Sequence, residues 1–295
     1  MILCNFVLNK HLLTPLAMLF MSFLRWNLIF LFTWCITLSV FSQIYHPKST
    51  TALLGALDEE IELLRLSLQH PKTKIVHGVT FYEGKIGKHR IVIVKTGIGK
   101  VNAAMTTAFL LQKFRPKRVI FTGIAGGLHP DLNPGDIVIG QKTLQYDYGQ
   151  VTNDSIFTRS TRNPISRDLN PLFFPADSLM LVSAQSATQI TDFKSMGNQA
   201  KPPYILIGTI VTGDLLVTSE IKVKELRTKF NADATEMEGA AVAQICWQQQ
   251  VPCLIIRSIS DKADSKARES IDNFKKIAAY NSAHLLINML MKLPD

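Results

Sequence analysis

Seven short apolar runs, separated by stretches of helical spacing, constrain this chain more than any other feature. Residues 51–57, 118–122 and 251–258 are near-continuous apolar runs, the pattern of strands covered on both faces. Residues 74–82, 89–95, 137–139 and 204–211 also read as strands. Between and after them, residues 61–66, 101–114, 219–229, the segment following Gly239 and residues 273–293 read as helices. Strands alternating with helices predict an α/β fold with a mixed, largely parallel central sheet flanked by helices. The runs at 74–82 and 89–95, joined by Glu83-Gly84-Lys85-Ile86-Gly87-Lys88, predict an antiparallel hairpin near its start. Residues 150–200, rich in Ser, Thr, Asn, Asp and Pro, read as a long surface excursion with a helix around 177–190. There is no internal repeat and no linker, so residues 51–295 are expected to form a single domain.

The first 42 residues stand apart. They contain no Asp or Glu, their only Lys or Arg are Lys10 and Arg25, and apolar runs at 12–24 and 27–41 fill most of the rest. A basic residue, an apolar stretch and a small residue at its end are the layout of a secretory signal, with Met21 as an alternative start to Met1. The second run falls short of the roughly 20 apolar residues that a spanning helix needs. A cleaved signal is therefore favoured over an uncleaved anchor, and the chain is expected to be secreted or periplasmic. Contact with a membrane is expected only through the leader, if it stays attached.

The formal net charge is +9, of which Lys10 and Arg25 supply two. The remaining Lys and Arg are scattered along the sequence and are not interleaved with aromatics. They read as solvated surface, and no nucleic-acid partner is expected. Outside the leader only Cys246 and Cys253 remain, too few for a disulfide framework or a zinc set, although a bridge between them stays open.

The candidate chemistry lies in acids at strand ends. Thr235-Glu236-Met237-Glu238-Gly239-Ala240-Ala241 sets two carboxylates one residue apart ahead of an apolar helix. Ala240 and Val242 stand where solvated acids would have basic partners at i+4. Such acids need donors, which the hydroxyls of a ligand could supply; a helix start that favours negative charge is the competing reading. Asp58 and Glu59 read as helix-start acids, while Glu60, beside the apolar face, stays open between capping and function. Asp261 lies off the last strand. Ligands of open α/β sheets bind outside the carboxyl ends of strands, so these acids are expected to converge with the glycine loops at 123–127 and 213. Thr96-Gly97-Ile98-Gly99-Lys100 fails the phosphate-loop pattern, because Val94 and Val101 occupy the first glycine and the hydroxyl positions. No His-Glu-x-x-His, Gly-x-Ser-x-Gly or metal-spaced His and Cys set occurs. The expected chemistry is carboxylate acid–base catalysis with no cofactor and no metal.

Six segments in order carry a resemblance. They are Gly55-Ala56-Leu57-Asp58-Glu59-Glu60, Thr96-Gly97-Ile98-Gly99-Lys100-Val101-Asn102-Ala103-Ala104, Thr122-Gly123-Ile124-Ala125-Gly126-Gly127, Gly135-Asp136-Ile137-Val138, Glu236-Met237-Glu238-Gly239-Ala240-Ala241 and Arg257-Ser258-Ile259-Ser260-Asp261. From about residue 51 to the C-terminus, weakening across 150–200, the chain resembles the 5'-methylthioadenosine/S-adenosylhomocysteine nucleosidase family. That family lies within the purine nucleoside phosphorylase and uridine phosphorylase superfamily. The resemblance implies a nucleoside phosphorylase-like fold and hydrolysis of the N-glycosidic bond of adenine nucleosides, releasing adenine. It implies Glu60 activating water and Asp261 as general acid toward adenine N7. It further implies Glu238 accepting hydrogen bonds from the ribose hydroxyls, Met237 packing on sugar and base, and Glu236 beside them, the least defined of the set. Ala125, Gly126, Leu216 and Val217 would line the pocket, and the family pattern implies a homodimer.

Phosphorylases of that superfamily hold phosphate with an arginine and a serine near the glycine loop. Phe121 and Ile124 stand in those places, and Asp58-Glu59-Glu60 would repel phosphate, so water is the expected nucleophile. The alternatives are a phosphate-dependent phosphorylase of the same fold and a non-catalytic secreted nucleoside-binding or storage protein. Intact Glu60 and Asp261 argue against the second. Two departures bear on substrate range: Ile124 where nucleosidases often carry Ser or Thr, and Ile271 where an aromatic commonly closes over the base, with Phe274 nearby. Together with the leader they leave the 5'-substituent open.

Overall fold

The longest apolar runs become the middle of one sheet. A computed structural model describes residues 48–153, 156–195 and 202–294. In chain order its first half holds β1 (Lys48–Gly55), α1 (Asp58–Leu66), β2 (Gln69–Val76), β3 (Val79–Ile86), β4 (His89–Lys95), α2 (Lys100–Phe114), β5 (Pro116–Gly127) and β6 (Ile137–Gln145). Then come β7 (Gly149–Val151), β8 (Ile156–Thr158), β9 (Phe174–Pro175), α3 (Ser178–Ala187) and β10 (Ile205–Thr212). The chain closes with α4 (Glu220–Phe230), β11 (Ala234–Glu236), α5 (Gly239–Gln248), β12 (Cys253–Asp261) and α6 (Ala267–Lys292).

The α/β architecture with a mixed central sheet flanked by helices is the one expected. β4, β1, β5 and β12 run parallel, and β10 runs parallel to both β6 and β11. The two sets meet where β6 pairs antiparallel with β12. β11 then pairs antiparallel with the end of β5, Thr235 opposite Gly126, which closes β5, β12, β6, β10 and β11 into a ring. Alternation explains the layers. Leu53, Ile93, Ile120 and Ile256 point into a core shared with Ile61 and Leu64 of α1, Met180 of α3 and Leu285 and Leu286 of α6. Their neighbours Ala52, Leu54, Val119 and Ile255 are equally buried on the other face, where α2 and α5 pack on each other and on the sheet.

Three details differ from the expectation. The run at 74–82 is two strands, β2 and β3, folded back at His77 and Gly78, whose φ angles of 49° and 81° are left-handed. The hairpin turn after β3 is confined to Gly87 and Lys88. β11 is too short to show any periodicity and is held by its neighbours β10 and β5. Cys246 and Cys253 are free, buried thiols, and burial pushes that of Cys246 up. The leader expected at 1–42 lies outside the described residues. Among the described residues, no helix is long and apolar enough to cross a membrane.

Candidate active site

Glu60 caps its helix with one oxygen and reaches β5 with the other. It occupies the third position of α1 and folds back on the turn from β1, its Oε2 accepting from the amides of Ala56 at 2.5 Å and Leu57 at 3.0 Å. This is half of a capping box. Its Oε1 reaches across to β5 and accepts from the amide of Ile124 at 2.9 Å. A Cβ at Gly123 would stand 2.6 Å from that oxygen, so β5 needs glycine there. Burial pushes the carboxyl up, and the charge of Arg257 and the three amides pull it back.

Asp261 ends β12 three residues farther along β5. Its Oδ1 accepts from the amide of Ala263 at 2.8 Å, and a Cβ at Gly126 would come within 3.0 Å of it. Its Oδ2 lies 2.7 Å from Ser260 Oγ, which is also 3.3 Å from the carbonyl of Ala125. Ser260 can donate to the ionised carboxylate, or accept from the protonated acid while donating to Ala125. Burial raises this carboxyl, opposed by Ser260 and Ala263.

The acidic pair of residues 236 and 238 divides into two environments. Glu236 is saturated: Arg257 Nη2 donates to its Oε2 at 2.5 Å, joined by the amides of Glu238 at 3.1 Å and Gly239 at 2.7 Å. Thr212 Oγ1 hydrogen-bonds Oε1 and accepts from the amide of Ala240. Glu238 is far less satisfied, its Oε1 accepting from the amide of Gly99 at 2.8 Å and its Oε2 standing 4.0 Å from Arg257. Its carboxyl is pushed up to about 8, by burial first and then by Glu236, with Arg257 opposing. Met237, between them, is half-buried.

Arg257 had no role in the sequence reading and turns out to be the cation beneath three carboxylates. It is 1% exposed, lies 4.2 Å over the Phe121 ring, donates to the Phe121 carbonyl at 3.4 Å, and is raised by Glu236, Glu60 and Glu238 against its own burial. A lone arginine inside the apolar run 251–258 was the signal, because a buried guanidinium requires carboxylate partners. Thr212, Ser260 and the Gly99 amide were also missed. The turn Thr96–Lys100 is a strand-to-helix turn as expected, with left-handed Gly97 and Gly99. Asp214 Oδ1 holds the Lys100 amide at 2.8 Å, and Asp147 Oδ1 holds its Nζ at 2.5 Å.

Glu60, Ala125, Gly126, Glu236, Glu238 and Asp261 are thus brought together around the end of β5. Leu216 is largely exposed at 45%, whereas Val217 is buried against Tyr146 and Leu226. Two buried carboxyls with raised affinity for protons, a glycine strand between them and a third carboxyl with unused acceptors suit acid–base chemistry on a hydroxyl-rich molecule.

The family model described as the phosphorylase superfamily matches residues 50–291. A 5'-methylthioadenosine/S-adenosylhomocysteine nucleosidase of Bacillus thuringiensis subsp. konkukian is 36% identical over 252 residues, covering 82% of this chain and 98% of that protein. The Neisseria meningitidis 5'-methylthioadenosine/S-adenosylhomocysteine nucleosidase in complex with methylthio-immucillin-A superposes with a TM-score of 0.71 at 35% identity, covering 83% of this chain and all of that one. A futalosine hydrolase of Helicobacter pylori superposes at 0.70 with 28% identity, covering 83% and 98%.

Proposed function

The chain belongs to the 5'-methylthioadenosine/S-adenosylhomocysteine nucleosidase family of the phosphorylase superfamily, and we propose that Glu60 and Asp261 carry its reaction. It is a purine nucleosidase that hydrolyses adenine nucleosides. The observation that carries the assignment is that both buried carboxyls, from α1 and β12, pack against glycines of β5, Glu60 on Gly123 and Asp261 on Gly126.

Asp261, whose affinity for a proton burial raises, donates toward adenine N7 in its protonated form, and Ser260 serves it in both protonation states. As the glycosidic bond lengthens, positive charge grows on the sugar, and the carboxylate form of Glu60 stabilises it. Glu60, whose carboxyl is raised by burial and pulled back by Arg257 and three amides, orients water and, in its ionised form, takes its proton. Glu238 accepts from the ribose hydroxyls and Met237 packs on the sugar. Glu236 acts through Arg257 and the turn at Gly239, as a positioning residue. Ala125, Gly126, Leu216 and Val217 flank the base. Ile124 lacks the hydroxyl common in the family, but what Glu60 takes from this position is its amide.

The substrates we propose are 5'-methylthioadenosine and S-adenosylhomocysteine, in line with the names of the relatives. The futalosine hydrolase keeps other 5'-substituents in view. We propose a homodimer, secreted or periplasmic by way of the leader, with a retained anchor as the alternative; light scattering and N-terminal sequencing of the mature protein test these. Adenine release across a nucleoside panel tests the function. Rapid release from both nucleosides supports it, and calorimetric binding with no adenine released over hours would instead establish a storage protein.

A further inference from the structure

The cations that look scattered along the sequence are gathered by the fold. The 47 residues between Glu83 and Asp131 contain nine Lys or Arg and no acid. β1 and β5 start side by side, Lys48 opposite Pro116 and its amide donating to the Arg115 carbonyl at 2.7 Å. β4 begins beside them, with Thr50 opposite Arg90, and β3 ends there with Lys85 opposite Arg90. α2 ends at the same place with Lys113, and the tail of α6 is pinned there by His89 on the Leu290 carbonyl at 2.7 Å. Lys48, Lys85, Lys88, Arg90, Lys113 and Arg115 are all exposed. Glu60 follows the opposite end of β1, about 23 Å away, and Asp261 ends β12 opposite Gly126 at the far end of β5.

Two features mark this pole as more than ordinary surface. Lys85 and Arg90 are direct cross-strand partners, a like-charge pair that destabilises a sheet unless an anion faces it. Burial, and after it the charges of Lys88, Lys117 and Arg118, pushes the His89 imidazole down, against its bond to the Leu290 carbonyl. The partner must therefore present many negative charges over a broad face. Only residues 43–47 separate the leader, with its apolar runs, from Lys48. On the retained-anchor reading, residues 43–47 span at most about 18 Å, so the chain tethers this pole near the headgroups.

We propose that the basic pole at the start of β1, β4 and β5 is a docking surface for anionic lipid headgroups, and that it holds the domain with its active site facing away from the bilayer. Each Lys or Arg near such a surface strengthens association about fivefold, and salt weakens it.

The test uses the full chain on vesicles of phosphatidylcholine alone or of equal phosphatidylcholine and phosphatidylglycerol, with lysine acetylation read by mass spectrometry. On anionic vesicles Lys48, Lys85, Lys88 and Lys113 should lose reactivity by about fivefold or more. Lys262 and Lys266, beside the active site, should keep theirs, and high salt should restore the others. Equal reactivity on both vesicles overturns the proposal. So does protection by double-stranded DNA at matched ionic strength without protection by vesicles. The variant Lys85→Glu/Arg90→Glu should lose the protection of Lys48 and Lys113 while adenine release in solution is unchanged; protection retained in that active variant also overturns it.

Discussion

Arg257 and Glu236 form an ion pair of 2.5 Å in which the side chains are 1% and 2% exposed. Two desolvated charges gain little over a well-packed apolar pair, but removing one partner strands the other. Arg257→Leu leaves Glu236, Glu238 and Glu60 without their cation and should cost about 3–5 kcal/mol of stability. Denaturant unfolding checks this. Adding Glu236→Leu to Arg257→Leu should recover part of the loss, and strict additivity would mean that the pair is not coupled.

Glu60→Gln and Asp261→Asn change one atom each and leave packing intact. Each should lower turnover by roughly 10²–10⁴-fold or more, with little change in melting temperature. Near-normal turnover in either variant would remove that residue from the chemistry.

Gly123→Ala tests the same site through the backbone. Its Cβ would enter within 2.6 Å of Glu60 Oε1, so the carboxylate must leave the Ile124 amide. Turnover should fall by at least about tenfold, since displacements near 1 Å from a productive geometry cost up to about 100-fold. The KM should move much less. Steady-state kinetics separates the two.

Glu238 makes stability depend on pH. Its carboxyl is pushed from 4.5 up to about 8, so between those values the folded chain holds a proton that the unfolded chain has released. This group's contribution is fully present below about 4.5 and is lost as pH rises through about 8. The unliganded protein should therefore lose stability across that window more steeply than Glu238→Gln. Identical slopes in thermal unfolding would contradict the assignment.

Strand ends were legible because continuous apolar runs at 51–57, 118–122 and 251–258 admit few alternatives, and acids just past such runs fall in one cleft. Glu60 could not be resolved between cap and site because one of its oxygens caps the turn and the other reaches β5. The split between Glu236 and Glu238 was hidden for another reason. It depends on Arg257, 21 residues later, and on Thr212, 24 residues earlier, which meet only because β11 closes the ring. The basic pole was invisible for the same cause. Register between distant strands, not spacing along the chain, brings Lys48, Lys85 and Arg90 together.

The most direct test of Glu60-activated water is release of adenine from 5'-methylthioadenosine in ¹⁸O-labelled water, with and without inorganic phosphate. Hydrolysis by Glu60-activated water predicts equal rates in both and label at the sugar's anomeric oxygen. A rate that requires phosphate, with the sugar 1-phosphate as product, would contradict it.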